Sequence, residues 1–82
     1  MAHRYGERIG VKLVRQQPVG FTWRGCHYTV TVIGVWHLMA RWWEPSAASD
    51  RTYYRLQTPD HQIFEIYHDA IPDAWILDIC QD

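Results

Sequence analysis

Eighty-two residues are enough for one domain with a single hydrophobic core. Five Trp, five Tyr and two Phe supply large side chains for that core, so disulfides or a metal are not needed for stability. A formal net charge of −1 argues against the strongly basic proteins that coat nucleic acid. The N-terminus lacks an apolar signal region and no apolar stretch is long enough to span a bilayer, so we expect a cytoplasmic protein without membrane contact.

Alternation of apolar and polar residues with a period of two predicts strands in the first half of the chain. The first strand is predicted over Ile9–Val14 and the second over Val19–Arg24, and Gly25 supplies the turn to the third. The third strand starts at Tyr28 and runs on towards Trp43. Gly34 interrupts it, and a glycine inside a strand predicts a bulge or bend.

The second half of the chain predicts three more strands. Residues 44–50 have the composition of a flexible loop, because Pro45 cannot join a central ladder. Strands are predicted over Arg51–Gln57, Gln62–His68 and Ala74–Ile79, separated by turns that contain Pro and Asp. No long window has helical periodicity, so at most a helical turn is expected, in the loop or near the N-terminus.

The predicted fold is a single all-β domain over residues 1–82. Its five to six strands form an antiparallel meander rolled into a partly open, SH3-like small barrel. Residues 1–8 carry no strand pattern and are expected to be flexible. The side chains predicted to share one buried cluster are Phe21, Trp23, Tyr28, Val30, Trp36, Tyr54, Leu56, Phe64, Ile66, Trp75 and Leu77.

The residues that catalysis would need do not fall into a recognisable constellation. Ser46 and Ser49 lie in the polar loop, outside any nucleophile-elbow motif. The five histidines lack the close spacing of a zinc site. Cys26 and Cys80 are expected to be reduced, unbridged thiols in a reducing cytosol. We therefore expect a protein that is not an enzyme and that uses no cofactor and no metal.

Arginine and aromatic side chains are concentrated on both sides of the predicted loop. Alternate residues of a strand point to the same face, so those of the fourth strand share one surface. Neighbouring tryptophans before the loop cannot both enter one core, so one of them is expected to be exposed or to cover an end of the barrel. The candidate binding residues are Arg41, Trp42, Trp43, Arg51, Tyr53 and Arg55.

Three interpretations of this surface remain open from the sequence. Arginine beside exposed rings suits base stacking and phosphate contact in single-stranded nucleic acid. The same residue types are typical of protein–protein hot spots. A third possibility is a solvated surface on which Glu65, Tyr67 and Asp69 of the neighbouring strand neutralise the arginines through cross-strand pairs.

Several segments together resemble a known bacterial family. They are Trp36…Arg41-Trp42-Trp43-Glu44, Arg51-Thr52-Tyr53-Tyr54-Arg55, Phe64-Glu65-Ile66-Tyr67-His68-Asp69, Trp75-Ile76-Leu77-Asp78 and the final Asp82. In order and spacing they resemble the C-terminal region of ImuB-type proteins, which are inactive relatives of Y-family DNA polymerases. They are also similar to a family of short, stand-alone bacterial proteins of unknown function. The resemblance covers residues 18–82.

The resemblance implies an accessory role in bacterial DNA damage tolerance, where ImuB-type proteins act as hubs of translesion synthesis. Together with the candidate surface, it favours a non-catalytic adaptor that binds a protein partner, one related to a polymerase. The alternative function is a single-stranded nucleic-acid-binding module that uses the arginine and aromatic residues.

Overall fold

The structure of the protein is a computed structural model that describes residues 2–40 and 49–81. Within these residues the chain forms eight strands in two antiparallel sheets and no helix. The strands are β1 (Ala2–Arg8), β2 (Gly10–Val14), β3 (Gln17–Trp23), β4 (Cys26–Thr29), β5 (Thr31–Ala40), β6 (Ser49–Gln57), β7 (Ile63–Asp69) and β8 (Ala74–Gln81).

The all-β, antiparallel class predicted from the sequence is confirmed. The five-stranded sheet has the order β1-β8-β7-β6-β5, and the three-stranded sheet has the order β2-β3-β4. The described strands outnumber the five to six predicted, and the two sheets are not closed into a barrel. The chain passes between the sheets at Ile9, whose N–H donates to the Trp75 carbonyl at 3.1 Å, and at Val30, whose N–H donates to the Val19 carbonyl at 3.0 Å.

Two-residue turns build the three-stranded sheet. Arg15 and Gln16 connect β2 to β3 with φ values of 52° and 66°, and Arg24 and Gly25 connect β3 to β4 with φ values of 51° and 78°. Positive φ at both central residues is the backbone geometry that matches the twist of paired strands. The turn predicted at Gly25 is therefore confirmed.

The core lies between the two sheets. Phe64 of β7 meets the rings of Phe21 and Tyr28 from the other sheet, each with a centroid distance of 5.1 Å. Of the side chains predicted to be buried, Phe21, Val30, Leu56, Phe64, Ile66 and Leu77 are buried. Trp23, Tyr28, Tyr54 and Trp75 are partly buried and pack against that cluster.

Trp36 is the exception, and its predicted place in the core is wrong. The register between β5 and β6 shifts between Val32 and Gly34, so β5 holds one residue more than its partner there. The bulge expected at Gly34 is present, and an extra residue reverses which side chains face inward beyond it. Trp36 consequently lies opposite Tyr53, on the outer side of the sheet, and is 37% exposed.

The N-terminal residues add an edge strand that the sequence pattern does not indicate. Strand β1 pairs antiparallel with β8, with a register shift between Arg4 and Glu7. Glu7 also ties β1 to the other sheet: its carboxylate accepts hydrogen bonds from Trp23 Nε1 at 3.1 Å and Arg24 Nε at 3.2 Å. The hydrogen bond from Arg24 is the main reason that the pKa of Glu7 lies below its usual range.

The two cysteines are not bridged. Cys26 is exposed at the start of β4, whereas Cys80 is buried near the end of β8. Their separate environments agree with the prediction of reduced thiols.

Candidate functional site

Three aromatic rings form a row across the outer face of the five-stranded sheet, the face turned away from the core. Trp36 of β5, Tyr53 of β6 and Tyr67 of β7 occupy cross-strand positions, and such partners share a face. The rings of Trp36 and Tyr53 are parallel to within 1° at a centroid distance of 5.5 Å, and those of Tyr53 and Tyr67 are 5.1 Å apart. We call these three residues the aromatic row.

Arg51 lies on one side of the aromatic row. Its guanidinium carbon is 4.6 Å from the centre of the Tyr67 ring, within the range of a cation–π contact. Its Nη1 donates to the Tyr53 hydroxyl at 3.5 Å, and its Nε donates to Asp69 Oδ2 at 3.4 Å. The hydrogen bond to Tyr53 is the largest of the effects that raise the pKa of Arg51. The guanidinium is thus charged and held over the Tyr67 ring.

Arg55 lies on the other side of the row. Its Nη2 and Nε both donate to Glu65 Oε1, at 2.7 and 3.1 Å, and its guanidinium carbon is 5.9 Å from the centre of the Trp36 ring. Glu65 and Asp69 are buried, at 7% and 8% exposure. A buried carboxylate needs a charged partner, so both arginines are engaged within the sheet.

The phenol of Tyr67 is held in its neutral form. Burial is the main cause that raises the pKa of Tyr67, and the nearby carboxylates of Asp78 and Asp69 raise it further. The positive charge of Arg51 acts in the opposite direction but is outweighed. Tyr67 can therefore act as a hydrogen-bond donor as well as a ring at the centre of this face.

The structure brings together three of the six candidate residues inferred from the sequence. Arg51, Tyr53 and Arg55 share the outer face of β6, and the cross-strand partners expected to neutralise the arginines do so. The other three candidates, Arg41, Trp42 and Trp43, lie outside the described residues.

The sequence reasoning missed two contributions to this face. Trp36 was assigned to the core, although the glycine at position 34 already indicated the bulge that turns it outward. Arg4 and Arg8 of β1 are exposed and lie on the same face of the sheet. They pair with Ile79 and Ile76 of β8, which in turn pair with Glu65 and Tyr67. No signal in the sequence indicated that β1 joins this sheet.

Residues 1–81 match the family described as a domain of unknown function, DUF6504. The chain belongs to this family. No curated protein and no solved structure matches it. The function of this family is unknown, and the match does not link the chain to ImuB-type proteins.

Other surfaces of the DUF6504 domain are less organised. A groove of about 650 Å³ lies on the three-stranded sheet, with Lys12, Thr22, His27 and Thr29 among its lining residues. His27 Nδ1 is 2.8 Å from the Thr22 hydroxyl, and Lys12, His27 and Thr29 are exposed. The polar side chains of this lining are thus spread over an open surface, whereas small-ligand sites gather them inside a pocket.

The described part of the DUF6504 domain has neither a metal-binding cluster nor a helix able to span a membrane. Over residues 2–40 and 49–81, no group of three or more His, Cys, Asp or Glu side chains is placed to hold a metal ion. The same residues include no helix with the length and apolar character that crossing a membrane requires.

Proposed function

We propose that this DUF6504 domain is a non-catalytic protein-interaction module, and that its contact surface is the aromatic row with Arg51 and Arg55. The observation that supports the proposal is the packing of two charge-paired arginines against a row of rings that stays partly open to solvent. Trp, Tyr and Arg are the residues most enriched in the energetic centres of protein interfaces.

The rigidity of the face also favours protein binding. Each arginine is held by a buried carboxylate and a ring, so little side-chain freedom is lost when a partner arrives. Parallel stacking of Trp36 on Tyr53 fixes two more side chains before contact. A preformed surface of this kind suits an aromatic or aliphatic anchor from the partner.

The alternative function, binding of single-stranded nucleic acid, has less support from the charges on this face. Arg51 and Arg55 are already neutralised, and a phosphate would have to compete with Asp69 and Glu65 for them. Most of the affinity of such binding comes from cations that replace counterions on phosphates. Exposed Arg4 is one source of positive charge that this alternative retains.

The setting that we propose is bacterial DNA damage tolerance in the cytoplasm, with a polymerase-related protein as partner. The resemblance of residues 18–82 to the C-terminal region of ImuB-type proteins supports this setting. The proposal about the binding face rests on the geometry and does not depend on the setting.

Site-specific photo-crosslinking tests the interaction surface. Tyr53 is replaced by a benzophenone-bearing phenylalanine in the source bacterium, and crosslinked proteins are identified after DNA damage. Ile71, which is 56% exposed in the turn after β7, carries the same probe as a matched control. We expect a protein crosslinked from position 53 and absent from position 71. Equal, unspecific labelling at both positions would contradict the proposal.

Titration of a labelled single-stranded oligonucleotide at two salt concentrations tests the alternative. We expect weak binding or none, because the paired arginines release few counterions. Tight binding that weakens steeply with salt, and that is lost when Arg51 and Arg55 are both replaced by Gln, would make nucleic acid the better-supported ligand.

A further inference from the structure

The edges of the two sheets are not equally protected. An unpaired edge strand is a template for pairing with another chain, and proteins block it with charges, bulges or short strands. Strand β1 carries Arg4, Glu7 and Arg8 together with a register shift. Strand β2 has five residues and includes Lys12, and β4 has only four residues.

Strand β5, the remaining edge, has none of these protections beyond its bulge near Gly34. It is ten residues long and contains no Asp, Glu, Lys, Arg or Pro. Among the described strands, none pairs with its outer edge. The exposed large apolar side chains of this strand are Ile33 (48%), Val35 (55%), Trp36 (37%), Leu38 (53%) and Met39 (56%).

These apolar side chains lie on both faces of β5. Leu38 is opposite Arg51 and so shares the outer face with the aromatic row. Val35 is opposite Tyr54, whose ring packs towards the core, so Val35 is on the inner face. Its 55% exposure shows that the three-stranded sheet does not cover this part of β5. A strand that covers β5 well must therefore carry apolar side chains on both of its own faces.

We propose that the β5 edge is where two copies of this chain bind each other, antiparallel about a twofold axis, so that their five-stranded sheets become one. In a pairing centred on His37, Trp36 faces Leu38 of the second copy and Val35 faces Met39 of the second copy. Apolar residues meet apolar residues on each face, and β5 contains no Asp, Glu, Lys or Arg to oppose its own copy. His37, which contacts Asp50 within each chain, faces His37 of the second copy.

A second copy is the occupant that this edge fits best. The twofold arrangement uses the same surface on both chains. Twofold symmetry is the commonest symmetry among oligomers. Four exposed large side chains from each copy, Val35, Trp36, Leu38 and Met39, are covered in this pairing together with the β5 backbone; a specific interface starts at about 1,000 Å² in total. The inference goes beyond the proposed function. If the chain proved to be monomeric, the crosslinking expected from position 53 would not be affected.

Sedimentation equilibrium of the purified full chain tests the proposal. We expect a species of twice the 9.8 kDa chain mass. Val35→Lys and Leu38→Lys, which place a charge on the inner and outer faces of β5, should each raise the dissociation constant by at least about tenfold. Ile71→Lys changes an equally exposed residue outside β5 and should leave it unchanged.

Hydrogen exchange of the wild-type protein is a second measurement, and it does not depend on whether the lysine variants fold. Amide protons on the outer edge of β5 should exchange more slowly at high protein concentration, whereas those of β1 should not change. Circular dichroism selects the lysine variants that retain the sheets. A wild type that stays monomeric at all concentrations, or equal dimer affinity for folded Val35→Lys and Ile71→Lys, would overturn the proposal.

Discussion

Replacing one ring on each side of the five-stranded sheet tests which face is the core. Phe64 is 1% exposed and contacts two rings of the other sheet, so Phe64→Ala leaves a cavity between the sheets. We expect a loss of about 3–5 kcal/mol in the free energy of unfolding. A domain of this length has a total stability of about 4–12 kcal/mol, so the variant should lose at least about a quarter of it.

Trp36→Ala is the matched substitution on the outer face. Its ring is larger, but it is 37% exposed and stacks mainly on Tyr53. We expect a loss of only about 1–2 kcal/mol, from one aromatic pair and partial burial. The order of the two effects is thus the reverse of what side-chain volume alone predicts.

Urea unfolding followed by far-ultraviolet circular dichroism measures both variants. Low protein concentration keeps self-association out of the comparison, and an unchanged slope with urea shows that both variants unfold from the same folded state. A Trp36→Ala variant that loses as much stability as Phe64→Ala would refute the outward position of Trp36 and the register change at Gly34.

Two further predictions concern other parts of the fold. Because the folded pKa of Glu7 is lowered, its contact with Arg24 stabilises the fold above the ordinary Glu pKa of about 4.3 and is lost as the pH falls through the folded pKa. Urea unfolding should therefore show a larger destabilisation by Arg24→Met at pH 6 than at pH 3, and an equal effect at both would contradict this linkage. A Cβ at Gly20 would lie 2.9 Å from the Tyr28 carbonyl oxygen, so Gly20→Ala should cost about 1–3 kcal/mol by thermal unfolding. Gly10→Ala meets nothing within 4 Å and is the control; equal melting temperatures would show that the close approach is relaxed.

Strands β2, β3, β6, β7 and β8 could be predicted because period-two alternation and turn residues are local signals, whereas β4 and β5 were predicted as one continuous strand. Strand β1 could not, because its sequence, AHRYGER, has little apolar alternation and its place is decided by the open edge of β8. The division of the strands into two sheets could not be predicted from the sequence either. It depends on where the chain crosses, at Ile9 and Val30, and neither residue has a pattern that distinguishes a crossing from an ordinary strand.

The candidate site shows the same limit of local reasoning. The shared face of Arg51, Tyr53 and Arg55 follows from alternation within one strand and was predicted. The position of Trp36 depends on counting across a bulge, because one extra residue moves every later side chain to the opposite face. The aromatic row could thus be assembled only after the register between β5 and β6 was known.

The pairing of β1 with β8 also constrains how the chain reaches its final form. Ala2 lies opposite Gln81, so β1, which is synthesised before the other described strands, must wait for β8, which is synthesised after them, before it has a neighbouring strand. Contacts between such distant parts of the sequence form late and slow folding. Until then the β8 position beside β7 is empty, and a nascent chain presents an incomplete sheet to its surroundings. Loss of β8 would leave β1 without a partner strand, so deleting β8 would affect two strands that lie far apart in the sequence.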